Sequence, residues 1–263
     1  MFPRLAHLYG PLWIQSYGTM IALGLLVFLY LTLRHPRRKK LISTDVFMNG
    51  VFVSMLAGVA GGRLLYVLSY PYEFTDNMAE IFFPWVGGLT VIGAIVGVIV
   101  GGGTYLWYHR IPILPIFDLA AVYGPCLQAI ARFGCFAAGC CYGAPCGISW
   151  LAVTFTNPAA HAPLYVALHP AQLYASAASA AIFVVMLLAE KRLAPHHGML
   201  FFLYLLLENA ARFFVDFWRG DRDPIALSIA DLYISQVQVY ALLGLLAALL
   251  GILWLSALQR QQK

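Results

Sequence analysis

The side chains with the clearest chemical potential in this sequence are charged residues inside long apolar segments. There are six of them: Arg63, Asp118, Arg132, Glu208, Arg212 and Asp216. A charge at the bilayer centre costs about 2.5 kcal/mol or more, so each should face the protein interior and contact a partner. Glu208, Arg212 and Asp216 follow one another at steps of four, which predicts one shared helix face. Asp118 and Arg132 lie close to four helical turns apart and should also share a face.

The intramembrane arginines favour an anionic ligand. A guanidinium group donates paired hydrogen bonds to phosphate oxygens, and its weak hydration makes it the cation best tolerated in a low-dielectric interior. A phospholipid head group entering from the outer leaflet would meet Arg132 and Arg212. Arg219 lies three residues beyond Asp216, near the outer surface, where it is suited to guide that head group. Ion pairs that only hold helices together are the simpler alternative, and it stays open.

A polar cluster marks the predicted start of a helix after the central loop. His169 precedes a proline at the expected first helical position, and Gln172 and Tyr174 follow just inside. The sequence leaves a structural and a functional role for His169 equally open. For His161, within the loop, a structural hydrogen-bonding role is expected.

Four of the five cysteines lie within twelve residues, and their spacing leaves three interpretations open. The four are Cys135, Cys140, Cys141 and Cys146, with Cys126 earlier in the same segment. A disulfide between Cys140 or Cys141 and Cys146 would suit an oxidising compartment, and small buried thiols are equally plausible. Cys140 as a nucleophilic or redox thiol is the third interpretation. The spacing is not a common zinc pattern, so no metal is expected.

The elements that must position these residues are membrane helices. The chain has 263 residues, of which 62% are hydrophobic and 10% charged, whereas a soluble domain usually carries about 25% charged residues. Three segments without a charge are each long enough to cross hydrocarbon. We predict an all-α, polytopic membrane helix bundle. Its helices are expected at Tyr17–Arg34, Val46–Tyr70, Gly87–Tyr108, Ile116–Ala138, Pro170–Glu190, Met199–Phe217 and Leu232–Ala257.

The basic residues predict the orientation of these seven spans. One set of connections holds ten of them, namely Arg34, Arg37, Arg38, Lys39, Lys40, Arg110, Lys191, Arg192, Arg260 and Lys263. The opposite set holds Arg4, Arg219 and Arg222. The positive-inside rule therefore predicts an external N-terminus and a cytoplasmic C-terminus. The same distribution explains the excess of basic residues by the membrane and not by binding to nucleic acid. One domain is expected over residues 1–263.

At these residues the sequence resembles the prolipoprotein diacylglyceryl transferase family. The resemblance runs over most of the chain and consists of several segments in one order. They are Tyr17-Gly18, Gly61-Gly-Arg63-Leu-Leu-Tyr66-Val, Asp118 with Pro125 and Arg132-Phe-Gly134, His169-Pro-Ala-Gln172-Leu-Tyr174, Arg212-Phe-Phe-Val-Asp216-Phe-Trp-Arg219, and Ile234-Ser235 with Gln238. Two departures are equally specific. Ile92 stands where the family has a histidine often assigned a catalytic role, and Cys135 and Cys140 stand where its signature has Asn and Glu.

The resemblance implies transfer of a diacylglyceryl group from phosphatidylglycerol to the cysteine thiol of a lipoprotein precursor, with glycerol phosphate leaving. It also implies a bacterial cytoplasmic (inner) membrane, a precursor signal peptide as partner and no cofactor. From the residues and the resemblance together, the predicted catalytic residues are Arg132, Arg212, Asp216, His169 and Cys140. The predicted substrate contacts are Tyr17, Arg63, Tyr66, Cys135, Gln172, Tyr174 and Arg219. A diverged lipid-group transfer, a membrane thiol oxidoreductase that uses the cysteine cluster, and a non-catalytic phospholipid-binding protein remain as alternatives.

Overall fold

The computed structural model of the protein describes residues 2–9, 12–75, 77–83, 88–147, 150–222, 225–229 and 232–261. Its described residues form eight α-helices: α1 (Ser16–Arg34), α2 (Pro36–Leu41), α3 (Thr44–Ser69), α4 (Val91–Tyr108), α5 (Ile113–Ala138), α6 (Ala171–Leu193), α7 (Met199–Val215) and α8 (Gln236–Gln261). Six of them, all except α2 and α7, are long and apolar enough to cross a membrane. The protein is therefore a helical, multi-pass membrane protein.

All seven helices predicted from hydropathy are present, with shifted ends. The first four residues predicted for the last helix belong instead to a hairpin of β5 (Ile225–Ile229) and β6 (Leu232–Ser235), so α8 begins at Gln236. Two further antiparallel pairs form, β1 (Arg4–Tyr9) with β2 (Leu12–Gln15), and β3 (Val153–Thr154) with β4 (Ala167–Leu168). The all-α prediction missed these ribbons because they are short and lie in loops, where hydropathy carries little information about backbone pairing.

The chain forms two compact units: a first unit of Met1–Thr32 with Phe117–Lys263, and a second unit of Leu33–Ile116. The expectation of a single domain stays a prediction. In the first unit, the buried core joins α5, α6 and α7 through apolar side chains such as Leu119, Met186 and Leu200. Such packing holds the three helices that carry the predicted site residues Arg132, Gln172 and Arg212.

Asp118 shows how an intramembrane charge of the first unit is satisfied. Its side chain is fully buried, and its two carboxylate oxygens accept hydrogen bonds from the backbone N–H groups of Gly198 (2.6 Å) and Phe201 (2.8 Å). These N–H groups belong to the first turn of α7, where donors lack intrahelical partners and the helix dipole is positive. The Asp118 carboxylate therefore caps α7 from α5 and sets the position of a helix that carries Glu208 and Arg212.

In the second unit, glycines let α3 and α4 approach closely. A Cβ atom added to Gly61 would lie 2.5 Å from the carbonyl oxygen of Gly93, and one added to Gly97 would meet the carbonyl oxygen of Ala57. Small residues of this kind permit backbone contact between helices in lipid, where no hydrophobic drive brings helices together.

Candidate functional site

A cavity in the first unit collects the charged residues of three segments. Its volume is about 490 Å³, including the open mouth. It is lined by Arg132, Cys141, Ala171, Gln172, Ala175, Ala178, Ser179, Glu208, Ala211, Arg212, Val215, Asp216 and Arg219. Three alanines of α6 line one wall, whereas the charged groups lie on α5, on α7 and on the segment that follows α7. The predicted helix face of Glu208, Arg212 and Asp216 is confirmed, because all three line this cavity.

Arg132 and Arg212 present their guanidinium groups to the cavity without a close counter-ion. No carboxylate of the described residues lies within ion-pair distance of either group. Glu208 is near enough to both to interact electrostatically. Two cations beside one acid leave a net positive cavity wall, which an anionic ligand would neutralise.

Glu208 is the acid that faces this pair, and sequence reasoning assigned no chemical role to it. Its Oε1 accepts a hydrogen bond from Nε2 of Gln128 (2.5 Å), and Gln128 in turn accepts one from the hydroxyl of Tyr204 (3.1 Å). Its Oε2 is buried and has no hydrogen-bond partner. Gln128 lies four residues before Arg132, and Tyr204 lies four before Glu208. The i, i+4 spacing could have indicated both supporting residues.

Asp216 is held in a buried network at the end of α7. Its Oδ2 accepts hydrogen bonds from the hydroxyl of Ser235 (2.7 Å) and from Nε of Arg222 (3.2 Å). Arg222 also donates to Oε1 of Gln238 (2.7 Å), and Gln238 donates to the carbonyl oxygen of Phe213 (3.3 Å). The sequence placed Arg222 only among the external basic residues and missed this role, which depends on the hairpin folding back onto α7.

Arg219 lines the cavity with its charge already partnered. Its Nε and one terminal nitrogen donate to the two carboxylate oxygens of Asp221, each over 3.0 Å. This bidentate pair fixes the orientation of the guanidinium group. Arg219, which was predicted to guide a lipid head group, therefore lies at the cavity wall and is oriented by Asp221 of its own loop.

The polar cluster at the start of α6 is divided between the cavity and the loop beside it. Gln172 lines the cavity, is almost fully buried and donates from Nε2 to the carbonyl oxygen of Cys140 (2.9 Å). Its Oε1 is buried without a partner. His169 and Tyr174 do not line the cavity. The Nδ1 of His169 lies 3.1 Å from the hydroxyl of Tyr174, whose ring packs edge-on against Trp218.

The cysteine cluster forms where α5 ends. Gly139 has a left-handed backbone (φ 72°), its N–H donates to the carbonyl of Phe136, and the N–H of Cys140 donates to the carbonyl of Cys135 (3.1 Å). These are the hydrogen bonds of a Schellman motif, which reverses the chain and folds Cys140 over Cys135. Cys141 also has a positive φ of 54°, which is uncommon for a residue with a side chain.

The three sulfur atoms of Cys135, Cys140 and Cys141 lie within 4.8 Å of one another. Hydrogen bonds from the other two thiols and the nearby charges of Arg219 and Arg132 hold the pKa of Cys141 well below its usual range. Sharing hydrogen bonds with its two neighbours raises the pKa of Cys140 instead. The disulfide between Cys140 or Cys141 and Cys146, one of the three interpretations left open, is not formed, since all five cysteines are free thiols. Cys146 is buried elsewhere, with its N–H bound to the carbonyl of Ala167.

Tyr17 lies next to this cluster at the start of α1. A Cβ atom added to Gly134 would lie 3.1 Å from the Cα of Tyr17, so α1 and α5 are in close contact one residue before Cys135. The thiol groups and Arg132 are near enough to Tyr17 to interact with it electrostatically. Its side chain is 43% exposed and remains accessible to a ligand.

Arg63 and Tyr66 belong to the second unit, at the end of α3. Nε of Arg63 donates to the carbonyl of Ile81 (3.1 Å), and its terminal nitrogens donate to the carbonyls of Gly88 (3.0 Å) and Glu80 (2.5 Å). The hydroxyl of Tyr66 donates to Glu73 (2.7 Å). Both side chains thus hold the segment after α3, and their predicted contacts with substrate stay predictions.

Apolar helices of membrane-spanning length around an arginine-lined cavity define a multi-pass membrane protein with a pocket suited to an anionic lipid. The family model for prolipoprotein diacylglyceryl transferase matches residues 3–256, and the chain belongs to this family. It is similar to phosphatidylglycerol–prolipoprotein diacylglyceryl transferases of Clostridium tetani (34% identity, 91% of this chain and 94% of that protein) and Dehalococcoides mccartyi strain 195 (33%, 97% and 93%). That of Bordetella bronchiseptica is 30% identical, with 86% of each chain covered. The family resemblance inferred from the motifs is confirmed.

Proposed function

We propose that this protein transfers the diacylglyceryl group of phosphatidylglycerol to the cysteine thiol of a lipoprotein precursor. Membership of the transferase family supports this activity. The observation that carries it is the cavity in which Arg132 and Arg212 face, among the described residues, no carboxylate at ion-pair distance. The same two findings favour the transferase over a thiol oxidoreductase and over a non-catalytic lipid-binding protein.

Arg132 and Arg212 bind the phosphate of the lipid. As the bond between the glycerol carbon and the phosphate oxygen breaks, negative charge grows on the departing glycerol phosphate. Fixed cations in a low-dielectric cavity stabilise that charge more in the transition state than in the ground state. Arg219, oriented by Asp221, adds a third positive group at the cavity wall.

Glu208 accepts the proton of the attacking thiol. A thiolate is the effective nucleophile, so the reaction needs a base within reach of the lipid. Oε2 of Glu208 has unused lone pairs at the cavity, whereas Oδ2 of Asp216 is occupied by Arg222 and Ser235. The sulfur then forms a C–S bond to the glycerol carbon, and glycerol phosphate leaves with the electron pair of the broken C–O bond.

The other predicted site residues take supporting roles in this proposal. Asp216 holds the end of α7 through its buried network. His169 orients the start of α6 through the hydroxyl of Tyr174. Gln172 offers its unpartnered Oε1 to a hydroxyl of the lipid head group, and Tyr17 contacts the precursor.

Mass spectrometry of a precursor substrate tests the activity. Purified protein, phosphatidylglycerol vesicles and a precursor that retains its signal peptide should give a diacylglyceryl mass gain on the precursor, with release of an equal amount of glycerol phosphate. A precursor whose cysteine is replaced by serine is the matched control. Lipid binding without a mass gain, or a change confined to the protein's own cysteines, would contradict the proposal.

We further propose seven spans in the bacterial cytoplasmic membrane, with the N-terminus outside. The 17 residues of α7, continued by a 3₁₀ turn at Asp216–Trp218, supply the seventh span. Basic residues at the ends of α1, α6 and α8 support a cytoplasmic location for those ends. Because this orientation accounts for the excess of basic residues, we propose no nucleic-acid partner. Reporters fused after Lys263 or between Lys191 and His197 should be cytoplasmic. One inserted between Asn157 and Pro163 should be external, and the reverse result at any of these positions would contradict the orientation.

A further inference from the structure

The three thiols at the end of α5 have the composition and spacing of a metal site. For a Zn–S distance of about 2.3 Å, tetrahedral ligation separates the sulfurs of two ligands by roughly 3.8 Å. The sulfurs of Cys135, Cys140 and Cys141 all lie within 4.8 Å of one another. Small side-chain rotations would bring them into ligand geometry without moving the backbone.

The backbone here is arranged to bring the sulfurs together. The Schellman motif at Gly139 sets Cys140 over Cys135, and the positive φ of Cys141 turns its side chain back to the same point. A positive φ at a residue with a side chain costs of order 1 kcal/mol or more, and such strain is concentrated at functional sites. Gly139 cannot be replaced freely, because an added Cβ would lie 2.7 Å from that of Ala160.

The surroundings suit a thiolate-bound cation. Three thiolates and one divalent ion carry a net charge of −1, and Arg132 and Arg219 interact electrostatically with the Cys141 sulfur. Soft sulfur ligands select ions such as Zn²⁺ over hard cations. A site with three protein ligands leaves the fourth tetrahedral position open for a substrate. Cys141 lines the cavity, so that open position is within reach of a bound precursor.

We propose that Cys135, Cys140 and Cys141 bind one Zn²⁺ ion, and that this ion receives the thiol of the lipoprotein precursor at its open position. This inference rests on the proposed transferase function. The precursor thiol loses its proton to Glu208 and ligates the ion as a thiolate. Its sulfur then attacks the glycerol carbon, the C–O bond to phosphate breaks with its electron pair on glycerol phosphate, and the thioether product dissociates from the ion. The three cysteines thus hold the ion that activates the precursor thiol. Ile92, which stands where the family has a histidine often assigned a catalytic role, cannot activate it.

Metal binding is measured first, independently of activity. Reduced protein without a histidine tag is titrated with Zn²⁺ against a chromophoric chelator, and the bound ion is characterised by X-ray absorption. We expect one ion per chain with three sulfur neighbours in the resting protein. Cys140→Ser and Cys141→Ser should weaken binding at least 100-fold, whereas Cys126→Ser, a thiol elsewhere on α5, should bind like the wild type.

Activity then separates the two proposals. Removal of zinc from the wild-type protein should lower transfer at least tenfold, addition of zinc should restore it, and the X-ray absorption spectrum should show a fourth sulfur when precursor is added. Active protein that binds no zinc, that ligates it mainly through nitrogen or oxygen, or that isolates with a disulfide inside the cluster at full activity would overturn the metal site and leave the transferase intact. Zinc bound by three sulfurs in a protein that never transfers lipid would overturn the transferase and the proposed role of the ion.

Discussion

Two intramembrane arginines of this protein, Arg63 and Arg132, satisfy their charge in opposite ways. Arg63, in the second unit, donates to three backbone carbonyls and lies near the rings of Tyr66 and Phe74. Arg132, in the first unit, lines a cavity and has no described carboxylate at ion-pair distance. A buried guanidinium that is saturated by backbone oxygens stabilises a loop, whereas one that faces a cavity is available to a ligand.

This difference distinguishes an arginine with a structural role from one available to a ligand, although the two look alike in the sequence. Both arginines lie in motifs shared with the same family, and both stand in apolar helices. The two arginines differ in how many of their guanidinium N–H groups already donate hydrogen bonds to the protein. We therefore expect substitutions at the two positions to change different measurable quantities.

The largest effect is expected at the cavity arginines. Arg132→Ala and Arg212→Ala should each lower turnover about 100- to 1,000-fold, because each removes a cation that stabilises the departing phosphate. Rates with phosphatidylglycerol vesicles measure the loss, and thermal unfolding should stay close to wild type. Arg192→Ala, an exposed arginine at the end of α6, is the matched control. Wild-type turnover in either cavity variant would remove the phosphate-binding role of that arginine.

A slightly smaller loss is expected at the acid beside them. Glu208→Gln keeps the side chain's shape but removes its ability to accept a proton, and it should lower kcat about 100-fold with little change in KM for the lipid. Steady-state kinetics at several lipid concentrations give both constants. A raised KM with unchanged kcat would mean that Glu208 helps to bind lipid and is not the base.

Arg63 should behave as a structural residue. Arg63→Ala leaves three partly buried carbonyl groups without this donor, and we expect a loss of roughly 3 kcal/mol in unfolding free energy. Thermal melting in detergent measures this loss, and the folded fraction should keep turnover within about tenfold of wild type. If turnover falls as far as in Arg132→Ala while the melting temperature is unchanged, the contrast between the two arginines is wrong.

The smallest effect is expected at the carboxylate that caps α7. Asp118→Ala removes both acceptors for the first turn of α7 and should cost about 1–2 kcal/mol of stability. A melting curve again provides the measurement, with Asp45→Ala on the exposed start of α3 as control. An unchanged melting temperature would show that the remaining contacts of α7 position it without this cap.

The structure confirms that hydropathy was sufficient to find the seven long helices, that is, all except α2. It also confirms that a spacing of four residues brings Glu208, Arg212 and Asp216 onto one face. Both properties depend on local periodicity, which any helix imposes on its sequence. The disulfide to Cys146, one of three interpretations that the spacing left open, is not formed, because proximity along the chain says little about the path of a loop. There the backbone N–H of Cys146 donates to the carbonyl oxygen of Ala167, twenty-one residues away.

The sequence by itself determined that this chain crosses a membrane, which charged residues interrupt its apolar segments and which family it belongs to, since apolar length and motif order are properties of the chain alone. Only the tertiary structure decided how those charges are used. It showed Asp118 capping a helix eighty residues away, Arg63 bound to backbone carbonyls and a free oxygen on Glu208. It also brought together three thiols whose spacing matches no common zinc motif. Hydrogen bonding and metal ligation depend on distances of a few ångströms between segments, and only packing sets those distances.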